Sequence, residues 1–259
     1  MSGAGGGSEN TNELPSFVDL VPIDSHSQFF GLTKHELVPI IMSVGIIIFL
    51  GIFSIIVTRR LQKVPGRLQA LLEIIVEGLE DFVKSQMGRV AGPFIPFIGT
   101  LFIYIFFMNM LGQIPLFHSP TSNFNTTIAL TLIVFFVTHY QGLKNNGVVG
   151  YLKHMAGKPI WLAPLVFPLH VMQELLSRPL SLSMRLFGNI LGEDTIIAIF
   201  IGFSPFLLGF IPIPMHLPMV FLALLGSTIQ AMIFSLLASF YIAGAIGIHD
   251  EEEHKHEHH

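Results

Sequence analysis

One charged segment lies deep inside apolar sequence and holds the residue types best suited to chemistry. Residues 174–194 read ELLSRPLSLSMRLFGNILGED, with two arginines and three carboxylates. A charge near the centre of a bilayer costs about 2.5–3.5 kcal/mol on insertion scales, so such groups usually have a function or a partner. A permanent cation beside titratable carboxylates is suited to moving ions, because the carboxylates can exchange protons while the arginine cannot.

Helical geometry arranges these groups around Arg185. With 100° per residue, one stripe contains Arg185 and five other polar residues, whereas Asp194 points away. Those five are Glu174, Arg178, Ser181, Asn189 and Glu193. Along the axis, Glu193 lies ~12 Å from Arg185 and Glu174 ~16 Å away on the other side. We therefore expect the partner of Arg185 on another helix or another subunit, while Arg178 either pairs internally or extends to the interface.

The composition identifies a polytopic membrane protein. Of the 259 residues, 51% are hydrophobic and only 12% are charged, whereas a soluble domain is about 25% charged. The chain has no cysteine, which excludes disulfides and thiolate metal sites. It also lacks the P-loop pattern G-x-x-x-x-G-K-[ST], so we expect no bound nucleotide and no cofactor.

The apolar runs predict an all-α fold with about five crossings. We expect spans at residues 37–58, 93–111 and 126–140, a long helix at 174–203 and a last helix at 219–248. Residues 64–88 repeat apolar positions at helical spacing but carry four carboxylates, which predicts an amphipathic helix at the cytoplasmic interface or packed on a partner. Residues 160–171 are predicted to be a bent or re-entrant piece, and the Pro-rich residues 204–218 an external turn.

The basic residues predict the orientation. Ten of the 13 lysines and arginines fall on one side of these spans and only Lys34 on the other, which favours an external N-terminus and a cytoplasmic C-terminus. We expect residues 1–32 to be a flexible external tail and residues 33–248 a single membrane domain. Residues 249–259 read HDEEEHKHEHH and predict a disordered cytoplasmic tail, with metal binding as the alternative.

Several segments together resemble subunit a of the F-type ATP synthases, the stator beside the rotating c-ring. The segment SRPLSLSMRLFGNILGED is similar to the family's signature, and four further motifs appear in the family's order. They are PG at 65–66, FMNMLGQIP at 107–115, FNTTIAL at 124–130 and STIQAMIF at 227–234. The resemblance covers about residues 30–250 and implies long, tilted C-terminal helices that pack against the c-ring.

The resemblance also implies roles for individual residues in proton translocation. Arg185 matches the essential arginine that faces the c-ring carboxylate, Asn189 a polar residue beside it, and Gln230 the glutamine of the neighbouring helix. Glu193 and Asp194 match the region that lines the outer channel. Glu174, with Ser181, resembles the cytoplasmic exit, and Asn123 and Asn125 resemble polar positions near the outer entrance.

The chain departs from the family pattern at two positions. Ala223 stands where some members carry a histidine paired with the channel acid, so no histidine relay is expected there. Gly112 stands where some relatives have an aspartate. The implied partners are the c-ring, the b subunits of the peripheral stalk, membrane lipids and, indirectly, the F1 sector, with no nucleic acid.

The resemblance implies a non-catalytic, proton-translocating stator subunit with two offset half-channels, most consistent with a bacterial inner membrane. A stand-alone ion channel or secondary transporter that uses Arg185 to bind an anion is one alternative, although no inverted repeat is visible in the sequence. A purely structural assembly protein is another, but it leaves the intramembrane charges without a purpose. The sequence leaves open whether the coupling ion is a proton or sodium.

Overall fold

The computed structural model of the protein describes residues 34–59, 66–114, 117, 119–156, 163–207 and 216–246. These residues are almost entirely helical and contain no strand, which confirms the all-α prediction. Both predicted tails, residues 1–32 and 249–259, lie outside the described residues.

Seven α-helices follow one another along the described chain. They are α1 (Lys34–Thr58), α2 (Arg67–Met87), α3 (Ile95–Leu111), α4 (Phe124–Ala156), α5 (Ala163–Met172), α6 (Arg178–Leu207) and α7 (His216–Ile246). Short 3₁₀ turns precede α3 and α4, and a π-helical turn, Gln173–Ser177, joins α5 to α6.

Four segments of the described chain are long and apolar enough to cross a bilayer, so the protein is a multi-pass membrane protein. They are Leu37–Thr58, Gly92–Leu111, Phe124–Tyr151 and Leu217–Ile246. Helix α6 is a further long element: its 30 residues extend about 45 Å at 1.5 Å per residue. Unlike the other long helices it carries two arginines and two carboxylates.

The C-terminal half of α2 has the buried and exposed sides that its sequence predicts, whereas Leu71 and Ile75 of the same apolar repeat are exposed, at 60% and 43%. Val83 and Met87 are fully buried and pack in one apolar cluster with Ile98 of α3 and Ile242 of α7. The exposed side carries charges, and Lys84 Nζ and Glu80 Oε1, one helical turn apart, form an ion pair of 2.6 Å there. The amphipathic helix therefore packs on the membrane helices of its own chain.

Helix α4 is longer than predicted. The sequence indicates a loop soon after residue 140, but the helical conformation continues to Ala156, interrupted at Gly147, whose φ of 68° is left-handed. Contacts with the end of α7 hold this extension: Asn146 Nδ2 donates to the Ala245 carbonyl at 2.8 Å. A Cβ on Gly142 would lie 2.5 Å from Cε2 of the buried Tyr151, so glycine allows the tyrosine to pack there.

The predicted helix at 174–203 is part of a longer helical run. The start of the predicted helix lies in the π-helical turn, where the Arg178 N–H donates to the Gln173 carbonyl, five residues earlier. Pro179 follows, and its missing N–H and its ring disfavour regular α-helical bonding in the preceding turn. Residues 163–171 of the predicted re-entrant piece lie in α5, and α6 continues to Leu207, into the predicted external turn.

Helix α7 is the centre of the bundle, since it contacts α2, α3, α4 and α6. Its small buried residues, Ala231, Ala238 and Ser239, permit close approach of the neighbouring helices. Helix α6 buries Leu182 and Leu186 in this core. Because these residues point inward, Met184 and Arg185 on another side of α6 face outward.

Candidate functional site

Arg185 lies on the outward face of α6. Its side chain is exposed, and the apolar side chains of Met184 and Leu191 beside it are also exposed, at 50% and 47%. Within the part of the chain that the structure describes, no carboxylate lies within ion-pair distance of Arg185. This agrees with the prediction that its neighbours along α6 are too distant, and it leaves a cation on an apolar surface.

Glu193 is the centre of a hydrogen-bonded cluster between three elements. Asn189 Nδ2 donates to Glu193 Oε1 at 2.7 Å, from one turn earlier on α6. Ser227 Oγ of α7 donates to Oε2 at 2.9 Å, and Gln113 Nε2, two residues after α3, lies 3.5 Å from the same oxygen. Both carboxylate oxygens therefore accept hydrogen bonds although the side chain lies between apolar helices.

A second set of hydrogen bonds fixes Ser227 and the end of α3. Asn109, fully buried, donates from Nδ2 to the Ser227 carbonyl at 3.3 Å. Its Oδ1 accepts a hydrogen bond of 2.8 Å from Thr121 Oγ1, which is 2.6 Å from Ser119 Oγ. The loop before α4 is thus joined to α7 through α3, and α7 is held where its Ser227 hydroxyl meets Glu193.

Two glycines permit the close approaches in this cluster. A Cβ on Gly226 would lie 2.6 Å from Glu193 Oε1 and 3.9 Å from Asn189 Nδ2. A Cβ on Gly112 would lie 2.7 Å from Ser119 Cβ. Gly226 therefore makes room for the carboxylate, and Gly112 lets the following loop pack against the end of α3.

Glu174 and Arg178 form an ion pair at the start of α6, one turn apart. The Arg178 guanidinium also lies over the Tyr241 ring, 5.0 Å from its centroid, where a cation–π interaction stabilises it. A cavity of about 20 Å³ between α4, α6 and α7 is bordered by this pair together with Thr138 and Tyr241. Of the two options for Arg178, internal pairing is the one observed.

The remaining predicted residues are Gln230, Asn123, Asn125, Asp194 and Ser181. Gln230 is only 5% exposed, and its Nε2 has no partner among the described residues. Asn123 Oδ1 accepts the Asn125 N–H at 2.9 Å and so caps α4, while the Asn125 side chain is exposed. Asp194 is half-buried, and Ser181 is exposed one turn before Arg185.

The surroundings of Glu193 are suited to a proton rather than a metal ion. Asn189, Ser227 and Gln113 all present donors to the carboxylate, whereas a metal site needs several acceptor ligands. Within the described ranges, no group of three His, Cys, Asp or Glu residues is placed to hold a metal. The arrangement can accept and release a proton inside the bundle.

Sequence reasoning missed four members of this cluster: Asn109, Gln113, Gly226 and Ser227. Asn109 and Gln113 are polar residues at the end of an apolar span, and Ser227 lies within another one. Polar groups at membrane depth are a signal of function. That signal indicates the polar residues but not that Gln113 and Ser227 share one partner, Glu193.

The fold and the site define a class: a multi-pass α-helical membrane protein with a surface arginine that pairs with no carboxylate of the described residues and, about 12 Å along the same helix, a hydrogen-bonded carboxylate. Residues 39–243 match the family described as "ATP synthase A chain". The chain belongs to this family.

Curated relatives agree with that assignment. The chain is 43% identical to ATP synthase subunit a 3 of Pelobacter propionicus over 209 residues, covering 81% of this chain and 86% of the relative. It is 42% identical to ATP synthase subunit a of Geotalea daltonii over 229 residues, covering 85% and 95%. With subunit a of Protochlamydia amoebophila it shares 37% identity over 250 residues, covering 93% and 91%.

Proposed function

We propose that this chain is the proton-translocating stator of the ATP synthase membrane sector, with two offset half-channels separated by Arg185. The observation that carries the proposal is the presence of a carboxylate and an arginine on the same helix, α6. A carboxylate held by donors, Glu193, lies about two turns from an arginine that has no carboxylate partner within the described residues. A proton-binding group and a fixed cation on one helix are suited to a path that carries protons to the c-ring but does not let them pass straight through the membrane.

Protons enter from the outer side in this mechanism. They pass Asn123 and Asn125 at the mouth, reach Asp194 and Glu193, and then neutralise a carboxylate of the c-ring near Asn189. A neutral carboxyl group can turn into the lipid, whereas the ionised form would lose its hydration at a large free-energy cost. The exposed apolar surface beside Arg185 supports contact with such a ring.

Release occurs on the cytoplasmic side, near Glu174 and Ser181. Arg185 stabilises the ionised ring carboxylate and prevents a proton from passing directly between the two half-channels. Gln230, uncharged and both donor and acceptor, orients the arginine or nearby water. The buried Gln230 Nε2, without a partner in the described part of the chain, supports the contact with water because it can still donate a hydrogen bond, which a guanidinium cannot accept.

The chain performs no catalysis itself in this proposal. Its partners are the c-ring, the b subunits of the peripheral stalk and, through them, the F1 sector in which ATP is made. The distribution of lysine and arginine supports an external N-terminus and a cytoplasmic C-terminus, in a bacterial inner membrane. A membrane potential supplies about 2.3 kcal/mol per charge per 100 mV, so each ATP requires several protons.

Reconstitution of the complete ATP synthase tests the proposal. Liposomes that contain the complex and carry a proton gradient should make ATP at the same rate with and without sodium, and the chain should co-purify with the c-ring and F1. Dependence on sodium would show another coupling ion. Purification of the chain without either partner would favour a stand-alone transporter.

Gly226→Ala should impair proton entry more than it impairs the fold. The added methyl would lie 2.6 Å from Glu193 Oε1, and the carboxylate, at the end of a flexible side chain, can move away. That movement weakens the charge-assisted bond from Asn189, so ATP-driven proton pumping in liposomes should fall roughly tenfold.

Gly244→Ala is the matched control for that variant. Gly244 lies on the same helix, α7, and a Cβ there would meet no atom of the described residues within 4 Å. The control should pump normally. Equal pumping by the two variants, each with a fully assembled complex, would contradict the importance of the Gly226–Glu193 approach.

A further inference from the structure

Gln113 holds Glu193 more loosely than the other two donors do. Its Nε2 lies 3.5 Å from Glu193 Oε2, at the outer limit of a hydrogen bond, compared with 2.7 Å for Asn189 and 2.9 Å for Ser227. Its own Oε1 is buried and has no hydrogen-bond partner among the described residues. A buried acceptor of this kind is usually satisfied by an ordered water.

Gln113 lies just beyond the end of α3, which is the outer end in the proposed orientation. It follows α3 in a turn, with its N–H donating to the Met110 carbonyl at 3.1 Å. The next loop packs against this turn at Gly112. With the N-terminus outside, this end of α3 faces the outer solution, and the Gln113 side chain reaches from it to Glu193 on α6.

We propose that Gln113 binds the proton-carrying water of the outer entrance and holds it against Glu193. The inference rests on the proposed function and adds a residue to it. A glutamine amide has both a donor and an acceptor, so Nε2 can contact the carboxylate while Oε1 accepts a hydrogen bond from the water. Neither Asn189 nor Ser227 lies at the outer end of α3, and both already hold Glu193 closely.

The proton-transfer step is balanced without any change in Gln113. An O–H bond of a hydronium ion breaks, an O–H bond forms on Glu193 Oε2, and a water molecule remains. The long bond from Gln113 is the weakest of the three and gives way to the arriving proton, whereas the bonds from Asn189 and Ser227 keep the carboxyl group in place. Gln113 is thus a positioning residue.

Gln113→Met tests this role, since methionine keeps the length of the side chain but removes both polar atoms. ATP synthesis by the complete reconstituted enzyme is measured against pH on the entrance side, at constant membrane potential. At acidic pH, delivery of protons no longer limits the rate, and the variant should match the wild type. At alkaline pH the rate should be about tenfold lower, which shifts the half-maximal pH by about one unit toward acid.

Controls separate this role from a structural one. Gln86→Met removes an amide on α2 that bonds Ser85 at 3.0 Å, and it should leave the profile unchanged. An unchanged profile in Gln113→Met, or an equal loss at every pH, overturns the role of Gln113. Gln113→Leu serves as the second variant if the first does not assemble. Normal pumping by Glu193→Gln/Asp194→Asn would instead overturn the proposed entrance itself.

Discussion

Arg185→Ala should abolish ATP synthesis driven by a proton gradient and open a passive proton leak. The arginine is exposed on the surface of α6 and pairs with no carboxylate in the described chain, so its removal should leave the fold intact. In the proposed mechanism it removes the charge that separates the two half-channels and that favours ionisation of the ring carboxylate. The coupled rate should fall on the order of 100-fold or more, the effect of losing a preorganised electrostatic group.

ATP synthesis and passive proton flux are both measured in liposomes with the assembled complex. Arg89→Ala is the matched control, because Arg89 is an exposed arginine in the turn after α2, and it should behave as the wild type. Arg185→Lys separates charge from geometry, since lysine keeps the charge but not the planar guanidinium. ATP synthesis near the wild-type rate in Arg185→Ala would contradict the proposed mechanism.

Glu193→Gln/Asp194→Asn should have the next largest effect, on proton entry. Both substitutions keep the shape and remove the groups that can take a proton, so ATP-driven pumping should fall on the order of 100-fold. Glu193→Gln alone should carry most of the loss. Its amide has one acceptor oxygen where the carboxylate has two, so at least one of the donors Asn189 and Ser227 would lose its partner.

Glu73→Gln is the control for charge removal. Glu73 is exposed on α2 and accepts a hydrogen bond of 2.8 Å from Gln69, far along the chain from the α6 stripe. A normal pumping rate in the double variant, measured beside this control, would rule out Glu193 and Asp194 as the entrance acids.

Local patterns were sufficient to predict the elements that are regular. A long apolar run predicted a span at residues 37–58, which the structure places in α1. The helical repeat of α2 predicted the side of its C-terminal half that is buried. The π-helical turn was not predicted, because Pro179 disfavours regular bonding before it without specifying how the chain responds. The sequence did not predict the length of α4, because its second half is supported by a distant contact. Asn146 of α4 bonds the Ala245 carbonyl of α7, 99 residues away.

The candidate site was predictable along one helix and not between helices. The 3.6-residue period places Asn189 beside Glu193, and the structure shows a hydrogen bond between them. Ser227 and Gln113 lie 34 and 80 residues from Glu193 in the chain. Their convergence depends on how α3, α6 and α7 pack, and no local pattern records it.

The contact between Gly226 and Glu193 also constrains how the family can diverge in sequence. The absent side chain of one residue provides the space that the other fills, with only 2.6 Å between a Cβ at 226 and Oε1. A larger residue at 226 is therefore compatible only with a smaller residue at 193. Either substitution alone should disturb the packing between α6 and α7. Over evolutionary time the two positions should change together, and the carboxylate at 193 can then leave α6 only in a lineage that also refills the space on α7.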